Sequence, residues 1–209
     1  MSDASNRSLH RGGRMWATRI LMGVGLTAAA LLAQAQTGAR EPAAQAGMKF
    51  TLTSPDITNG QRIDAAQVYN RFGCAGGNVS PALSWSNPPA GTKSFALLVH
   101  DPDAPTGNGW WHWVVYDIPP EVTSLPAGAG DPAKGLMPPG AEQGKSDFGT
   151  PGYGGPCPPP GKPHHYYFRL YALKVPKLEI PADATAAAID VNVNRNSLGK
   201  AEIMGLYGR

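Results

Sequence analysis

The chain has 209 residues, 42% of them apolar, with 26 glycines and 21 prolines. This composition excludes a disordered chain and predicts a folded, turn-rich, mostly β domain. The formal net charge is +3, and Arg7, Arg11, Arg14 and Arg19 against Asp3 account for all of it. The rest of the chain has a formal net charge of zero, which argues against the basic surface of a nucleic-acid-binding protein.

The N-terminus, residues 1–35, predicts a secretory signal peptide. A basic stretch precedes the apolar run Ile20–Ala33, which is short for a membrane span and is followed by small residues that suit cleavage. Met15 is an alternative start, and an uncleaved anchor is the competing interpretation. Residues 36–47 are predicted to form a flexible tether and residues 48–209 a single domain. We therefore expect a periplasmic or secreted protein without a stable membrane span after cleavage.

The chain has two cysteines, Cys74 and Cys157. An exported protein meets an oxidising compartment, so the pair is a candidate disulfide. Two buried free thiols are the alternative, because free cysteine behaves as a small apolar residue. The spacing does not choose between them.

Hydrophobic patterning predicts the elements in chain order. A half-buried strand is predicted at "MKFTLTS", and a turn-rich segment at "SPALSWSNPPAGT". Core strands are predicted at "KSFALLVH", "WWHWVVYDIPP" and "HHYYFRLYALKV". Residues 121–163 are rich in glycine and proline, and so long an irregular connection is often functional. A helix is predicted to begin near Pro181, and its asparagine-rich end, "IDVNVNRN", favours helix less.

Strand alternation sorts the side chains of the later strands into faces. In "WWHWVVY", one predicted face carries Trp110, His112, Val114 and Tyr116. In "HHYYFRLYAL", the more apolar face carries His164, Tyr166, Phe168, Leu170 and Ala172. If these strands are antiparallel neighbours of "KSFALLVH", their ends converge on the segment containing Asp101 and Asp103. The pattern then predicts one cluster at the rim of a sheet: Asp101, His112, His164 and Tyr166.

This cluster has the chemistry of a small-anion site. Two imidazoles and a phenol supply donors, and Asp101 is expected to orient His112. Trp110 and Pro105 are expected to exclude water, which strengthens each contact. Backbone N–H groups of the "GYGGPC" loop are expected to add further donors.

Other chemistries have weaker support in the sequence. A zinc site at His112, His164 and Asp101 lacks any H-x-x-x-H or C-x-x-C spacing, and we expect neither a metal nor a cofactor. A nucleophile is also missing, since no G-x-S-x-G is present and Cys157 has no evident base. His100 is interpreted as structural. The sequence therefore favours binding over catalysis.

Four segments of residues 47–209 resemble the phosphatidylethanolamine-binding protein family, in its bacterial Raf-kinase-inhibitor-like branch. They are "GCAGGNVSPALSW", "HDPDAPTGNGWWHWVVYDIP", "SDFGTPGYGGPCPPPGKPHHYYFRLYAL" and "GLYGR". The resemblance implies a mainly β fold, with a large antiparallel sheet packed on a smaller one and a C-terminal helix near a pocket. That pocket would bind anions or phosphorylated head groups.

The resemblance also assigns residues to this pocket. The family motifs place there Asp101, Asp103, Pro105, Trp110, His112, His164 and Tyr166. His165 stands where an arginine is common in relatives, and alternation puts it outside the pocket. The asparagine-rich helix segment departs from the more apolar sequence of relatives.

We expect a non-enzymatic protein that binds a small anion or a phosphorylated ligand. One alternative is a regulator that inhibits a protease or another enzyme through its surface loops, with a partner unknown. Another is a weak phosphoester or ester hydrolase with His112 as general base. No nucleic-acid partner is expected, and a homodimer is left open.

Overall fold

The computed structural model describes residues 48–209. The predicted signal peptide and tether, residues 1–47, lie outside these residues.

The described chain consists mainly of β-strands. Its strands and its helix are β1 (Thr51–Thr53), β2 (Leu83–Ser86), β3 (Ser94–Asp101), β4 (Trp110–Ile118), β5 (Ser124–Leu125), β6 (Glu142–Gln143), β7 (His164–Leu173), α1 (Ala186–Asn196) and β8 (Ser197–Tyr207). A single 3₁₀ turn covers Pro132–Lys134 within the long irregular segment. Within residues 48–209, no helix is long and apolar enough to cross a membrane.

The strands form two antiparallel sheets. The larger sheet has the order β6-β4-β3-β7-β8, and the smaller has the order β1-β2-β5. Phe95, Leu97 and Val99 of β3 point from the larger sheet toward Leu83 and Trp85 of the smaller one and form a core with them. The predicted fold class, a large sheet packed on a smaller one, is confirmed.

The central strand β3 is buried on both faces, which explains its continuous apolar sequence. Its second face, with Ala96 and Leu98, packs beneath α1, whose Ile189 and Val193 are buried in the same cluster. The helix therefore covers the face of the large sheet opposite the smaller sheet. The family resemblance implied a helix near the pocket. The helix α1 supplies none of the residues that line the cavity at the end of β3.

The predicted faces of β4 are correct only in part, because the strand is bulged. Val99 pairs with Trp113 and His100 pairs with Trp111, so His112 is an extra residue without a partner on β3. A bulge of this kind redirects the side chains that follow it. As a result Trp113 and Val115 face the core between the sheets. Val114 and Tyr116 lie on the opposite face, with α1.

The helix begins later than predicted and extends through the asparagine-rich segment. Thr185, not Pro181, is its N-cap and accepts a hydrogen bond from the N–H of Ala188. Ala186, Ile189 and Val193 are its buried residues, a spacing that places them on one face of a helix. The exposed asparagines bond back to carbonyls four residues earlier, as Asn192 does to Ala188 at 3.1 Å.

Four strands were not predicted from the sequence. β5 and β6 have two residues each and lie in the segment 121–163, which was predicted to be irregular. β2 lies in a segment that its serines and prolines made resemble a loop. The segment of β8 was predicted to be the end of the helix, although buried Ala201 and Ile203 alternate with exposed Lys200 and Glu202. That period of two is the signal that identifies a strand with one buried face.

Candidate functional site

A cavity of about 250 Å³ opens where β3 ends and β4 and β7 begin. The antiparallel pairing of β3 with both neighbours brings these ends together, as the sequence predicted. Of the seven predicted site residues, six line the cavity: Asp101, Pro105, Trp110, His112, His164 and Tyr166. Asp103 does not.

The carboxylate of Asp101 orients His164, not His112 as expected. Asp101 Oδ2 lies 2.8 Å from His164 Nδ1, and its Oδ1 accepts a hydrogen bond from the N–H of Asp103. A carboxylate can only accept, so Nδ1 of His164 carries the proton in this pair. Both side chains are largely buried, which strengthens the interaction relative to one in water.

His112 is held by a neutral group. Its Nδ1 lies 2.6 Å from the carbonyl oxygen of Gly154 and must donate to it. Burial lowers the pKa of His112 from its ordinary 6.5 to about 4, although the Gly154 carbonyl and the Asp101 carboxylate oppose this shift. At neutral pH the imidazole is therefore uncharged, and its other nitrogen, Nε2, is an acceptor. The expectation that His112 donates to an anion is corrected accordingly.

Two donors in the cavity wall form no hydrogen bond of good geometry. The indole Nε1 of Trp110 and the hydroxyl of Tyr166 are buried without such a partner within residues 48–209, although the Asp101 carboxylate lies near the Tyr166 hydroxyl. Burial and the neighbouring Asp101 carboxylate raise the pKa of Tyr166, which keeps the phenol protonated. Buried polar groups are usually paired in proteins, so unpaired donors beside a cavity point toward a ligand or ordered water.

Asp103 forms a separate pair on the outside of β7. Its Oδ2 accepts hydrogen bonds from the backbone N–H and from Nδ1 of His165. Burial acts in the opposite direction, but these hydrogen bonds lower the pKa of Asp103. Both side chains are more than 40% exposed. The position of His165 on the outer face agrees with the predicted alternation.

The cavity also has walls that sequence reasoning did not identify. Phe148 packs edge-on against Trp110 and His112, with ring centroids 5.4 and 5.5 Å away. Phe72, 65% exposed, lies at the rim. Phe148 is the only phenylalanine in the long irregular segment, residues 121–163. A single phenylalanine in a segment rich in glycine and proline is the sequence feature that could have identified it as a site residue.

A disulfide joins Cys74 to Cys157, whose Cα atoms are 6.0 Å apart. Cys157 itself lines the cavity. The bridge therefore ties the segment carrying Phe72 to the segment that leads into β7. This answers the question that the cysteine spacing left open.

The "GYGGPC" loop contributes structure to this site and fewer free donors than expected. The N–H groups of Tyr153 and Gly154 donate to the carbonyls of Gly130 and His112. The N–H of Gly155 donates to the side chain of Asn78. These amides are already engaged, so the loop fixes the position of His112.

The chain is thus a two-sheet β protein with a small cavity at the rim of its larger sheet. Residues 53–208 match the model of the family described as phosphatidylethanolamine-binding protein. The chain belongs to this family, which places it in a class of binding proteins.

Known proteins from several bacteria are similar to the chain. YbcL of Escherichia coli is 49% identical over 159 residues, which cover 76% of this chain and 87% of that protein. Its crystal structure, described as a new member of the mammalian PEBP family, matches with a TM-score of 0.75 over 78% of this chain and 99% of that chain. A phosphatidylethanolamine-binding protein homologue from Chlamydia trachomatis, 34% identical, matches with a TM-score of 0.64 over 77% of this chain and 97% of its own.

LppC of Mycobacterium tuberculosis is 38% identical over 165 residues, covering 78% of this chain and 75% of that protein. Its name describes a candidate lipoprotein.

Proposed function

We propose that the chain is an exported, non-catalytic binding protein whose small cavity takes a protonated oxyanion, such as hydrogen phosphate or a phosphorylated head group. The observation that carries this proposal is the mixed character of the cavity wall, which offers both donors and an acceptor. The cavity of about 250 Å³ lies below the ~300–1,000 Å³ typical of sites for drug-sized ligands. That volume suits a small ion or a head group.

The hydrogen-bonding groups specify the ligand further. Trp110 and Tyr166 need acceptors, which the oxygens of an oxyanion supply. The neutral His112 needs a donor, because its Nδ1 proton is committed to Gly154. Hydrogen phosphate and singly protonated phosphate monoesters carry both kinds of group. Sulfate carries no proton at neutral pH, so it leaves the acceptor unpaired.

Isothermal titration at pH 7 tests this selectivity with inorganic phosphate, phosphoethanolamine and sulfate at matched ionic strength. An unpaired buried acceptor costs about 1–3 kcal/mol, so we expect sulfate to bind roughly tenfold or more weakly than phosphate. Equal affinity for the two ions, or no phosphate binding at millimolar concentration, contradicts the proposal.

The neighbouring histidines of β7 supply a matched pair of variants. His164→Asn removes a cavity group, whereas His165→Asn changes the outer face of the same strand. We expect the first to weaken phosphate binding and the second to leave it unchanged. A similar loss in both variants would indicate a general effect on β7 and would argue against this site.

The geometry of His112 favours binding over hydrolysis of an ester or phosphoester. A general base works best with a pKa near the working pH, and the pKa of about 4 makes His112 a weak base. Its ring is oriented by a carbonyl, which stabilises an imidazolium less than a carboxylate does. In a panel of chromogenic esters, we expect the wild type and His112→Asn to give the same background rate.

Export to the periplasm or the medium is part of the proposal. Disulfides persist in oxidising compartments, so the Cys74–Cys157 bridge supports it. The name of the relative LppC points the same way. Intact mass measured on protein from the periplasmic fraction tests it: we expect loss of residues 1–35 and two hydrogens fewer than the reduced chain. Full-length protein confined to the cytoplasm contradicts export.

A further inference from the structure

A second and larger cavity lies on the other side of Phe148. It has a volume of about 520 Å³, within the ~300–1,000 Å³ typical of small-molecule sites. Phe148 lines both cavities. None of the predicted site residues lines the larger one, so the chemistry described above leaves it unexplained.

The floor of the larger cavity is a hydrogen-bonded framework. Asn78 donates through Nδ2 to the carbonyl of Tyr153 and accepts through Oδ1 from the N–H of Gly155. The buried hydroxyl of Tyr153 donates to the carbonyl of Gln67 at 3.0 Å. These contacts join segments far apart in the sequence, so the floor is already ordered before any ligand binds.

The rim of this cavity carries two uncommitted positive charges. Arg71 and Lys134 line it, and neither forms an ion pair with any of residues 48–209. Asp131 is the one acidic residue in the lining, and its Oδ1 caps the 3₁₀ turn by accepting from the N–H of Ala133. The charged groups of the cavity are therefore positive in sum, which favours an anionic ligand.

Neutral polar groups and an aromatic wall accompany these charges. Tyr69, Asn70 and Thr150 are among the lining residues, and their side chains form no hydrogen bond with the described residues. Tyr69 also packs against Phe148, with ring centroids 4.6 Å apart. A phenol, an amide and a hydroxyl offer several donors and acceptors beside an apolar surface. A ligand with several hydroxyl groups on a compact ring matches this set.

We propose that the larger cavity is a second binding site, for a hydroxylated anionic small molecule of the acidic-sugar class. The negative group lies at the rim with Arg71 and Lys134, and the ring lies against Tyr69 and Phe148. The proposal is independent of phosphate binding in the small cavity, because the two sites share only Phe148 among their lining residues.

Amide NMR titration of the mature protein tests the proposal, with glucuronate as the probe and glucose as its neutral counterpart. The amides of Asp101, Trp110 and His164 are followed in the same spectra, so that binding in the small cavity is distinguished from binding in the larger one. We expect glucuronate to shift the amides of Gly130 and Thr150, and glucose to bind at least several-fold more weakly. Shifts confined to the small cavity, equal binding of both sugars, or no shifts at all overturn the proposal.

Substitutions at the rim give a second measurement. An exposed ion pair contributes up to about 1 kcal/mol, so Arg71→Gln and Lys134→Gln should each weaken glucuronate about two- to fivefold. Lys93→Gln is the matched control, since Lys93 is exposed and lines neither cavity. The amide spectrum of each variant without ligand verifies its fold. Unchanged affinity in both rim variants, or an equal loss in the control, overturns the assignment.

Discussion

Lowering the pH should destabilise the protein through His112. Its pKa is about 4 in the folded chain, against an ordinary value of 6.5. Between these values the unfolded state binds the proton more readily, so stability is fully present above pH 6.5 and is lost as the pH falls. The difference between the two pKa values corresponds to about 3 kcal/mol in total, of which about 2 kcal/mol is lost between pH 7 and pH 5.

Urea unfolding at pH 7, 6 and 5, without reductant, measures this loss. In His112→Asn an amide replaces the imidazole, can still donate to the Gly154 carbonyl and does not titrate. The variant will be less stable at pH 7 because a smaller side chain fills a buried site. The informative quantity is the slope: we expect the wild type to lose about 2 kcal/mol more than the variant between pH 7 and pH 5.

His165→Asn is the control for this experiment, because His165 is exposed and paired with Asp103. It should retain the additional pH dependence of the wild type. Parallel stability profiles for the wild type and His112→Asn would refute the argument that burial keeps this imidazole neutral. The selectivity proposed for the small cavity would then lose its basis as well.

Three other perturbations have defined outcomes. Gly154→Ala would place a Cβ against the ring of Phe148 with no room for it. We therefore expect a loss of about 1–3 kcal/mol in urea unfolding and weaker phosphate binding, and unchanged stability would contradict this close packing. Reduction of Cys74–Cys157, which closes a span of 83 residues, should lower stability by up to about 4–5 kcal/mol, and an unchanged midpoint would exclude a structural role. Thr185→Ala removes the helix N-cap and should cost about 1 kcal/mol, whereas Thr185→Ser should restore most of it.

The strands that could be predicted from the sequence are those whose hydrophobic pattern matches the burial of their two faces. β3 is apolar throughout because it is buried on both faces, and β7 alternates because its two faces differ. The convergence of Asp101, His112 and His164 followed from these strands and from antiparallel pairing. β2 and β8 were not found because competing local signals, prolines in one case and a preceding helix in the other, masked their alternation.

The pairing of polar groups within the site could not be read from the same pattern. Alternation places a side chain on a face, but it does not determine which neighbour it contacts. The free cations of the larger cavity were also invisible, because Arg71 and Lys134 are 63 residues apart and meet only through loops. Loop geometry depends on contacts distant in the sequence, such as that of Asn78 with Gly155.

The bulge in β4 explains why the two cavity histidines differ. Because His112 has no partner on β3, its ring is not held by Asp101 and instead meets the carbonyl of Gly154. His164 lies in regular pairing with β8 and takes the carboxylate of Asp101. One imidazole is thus paired with a negative charge and the other with a neutral dipole. Insertion of one residue into a strand therefore gives the cavity an acceptor beside its donors, and the proposed preference for phosphate over sulfate rests on that combination.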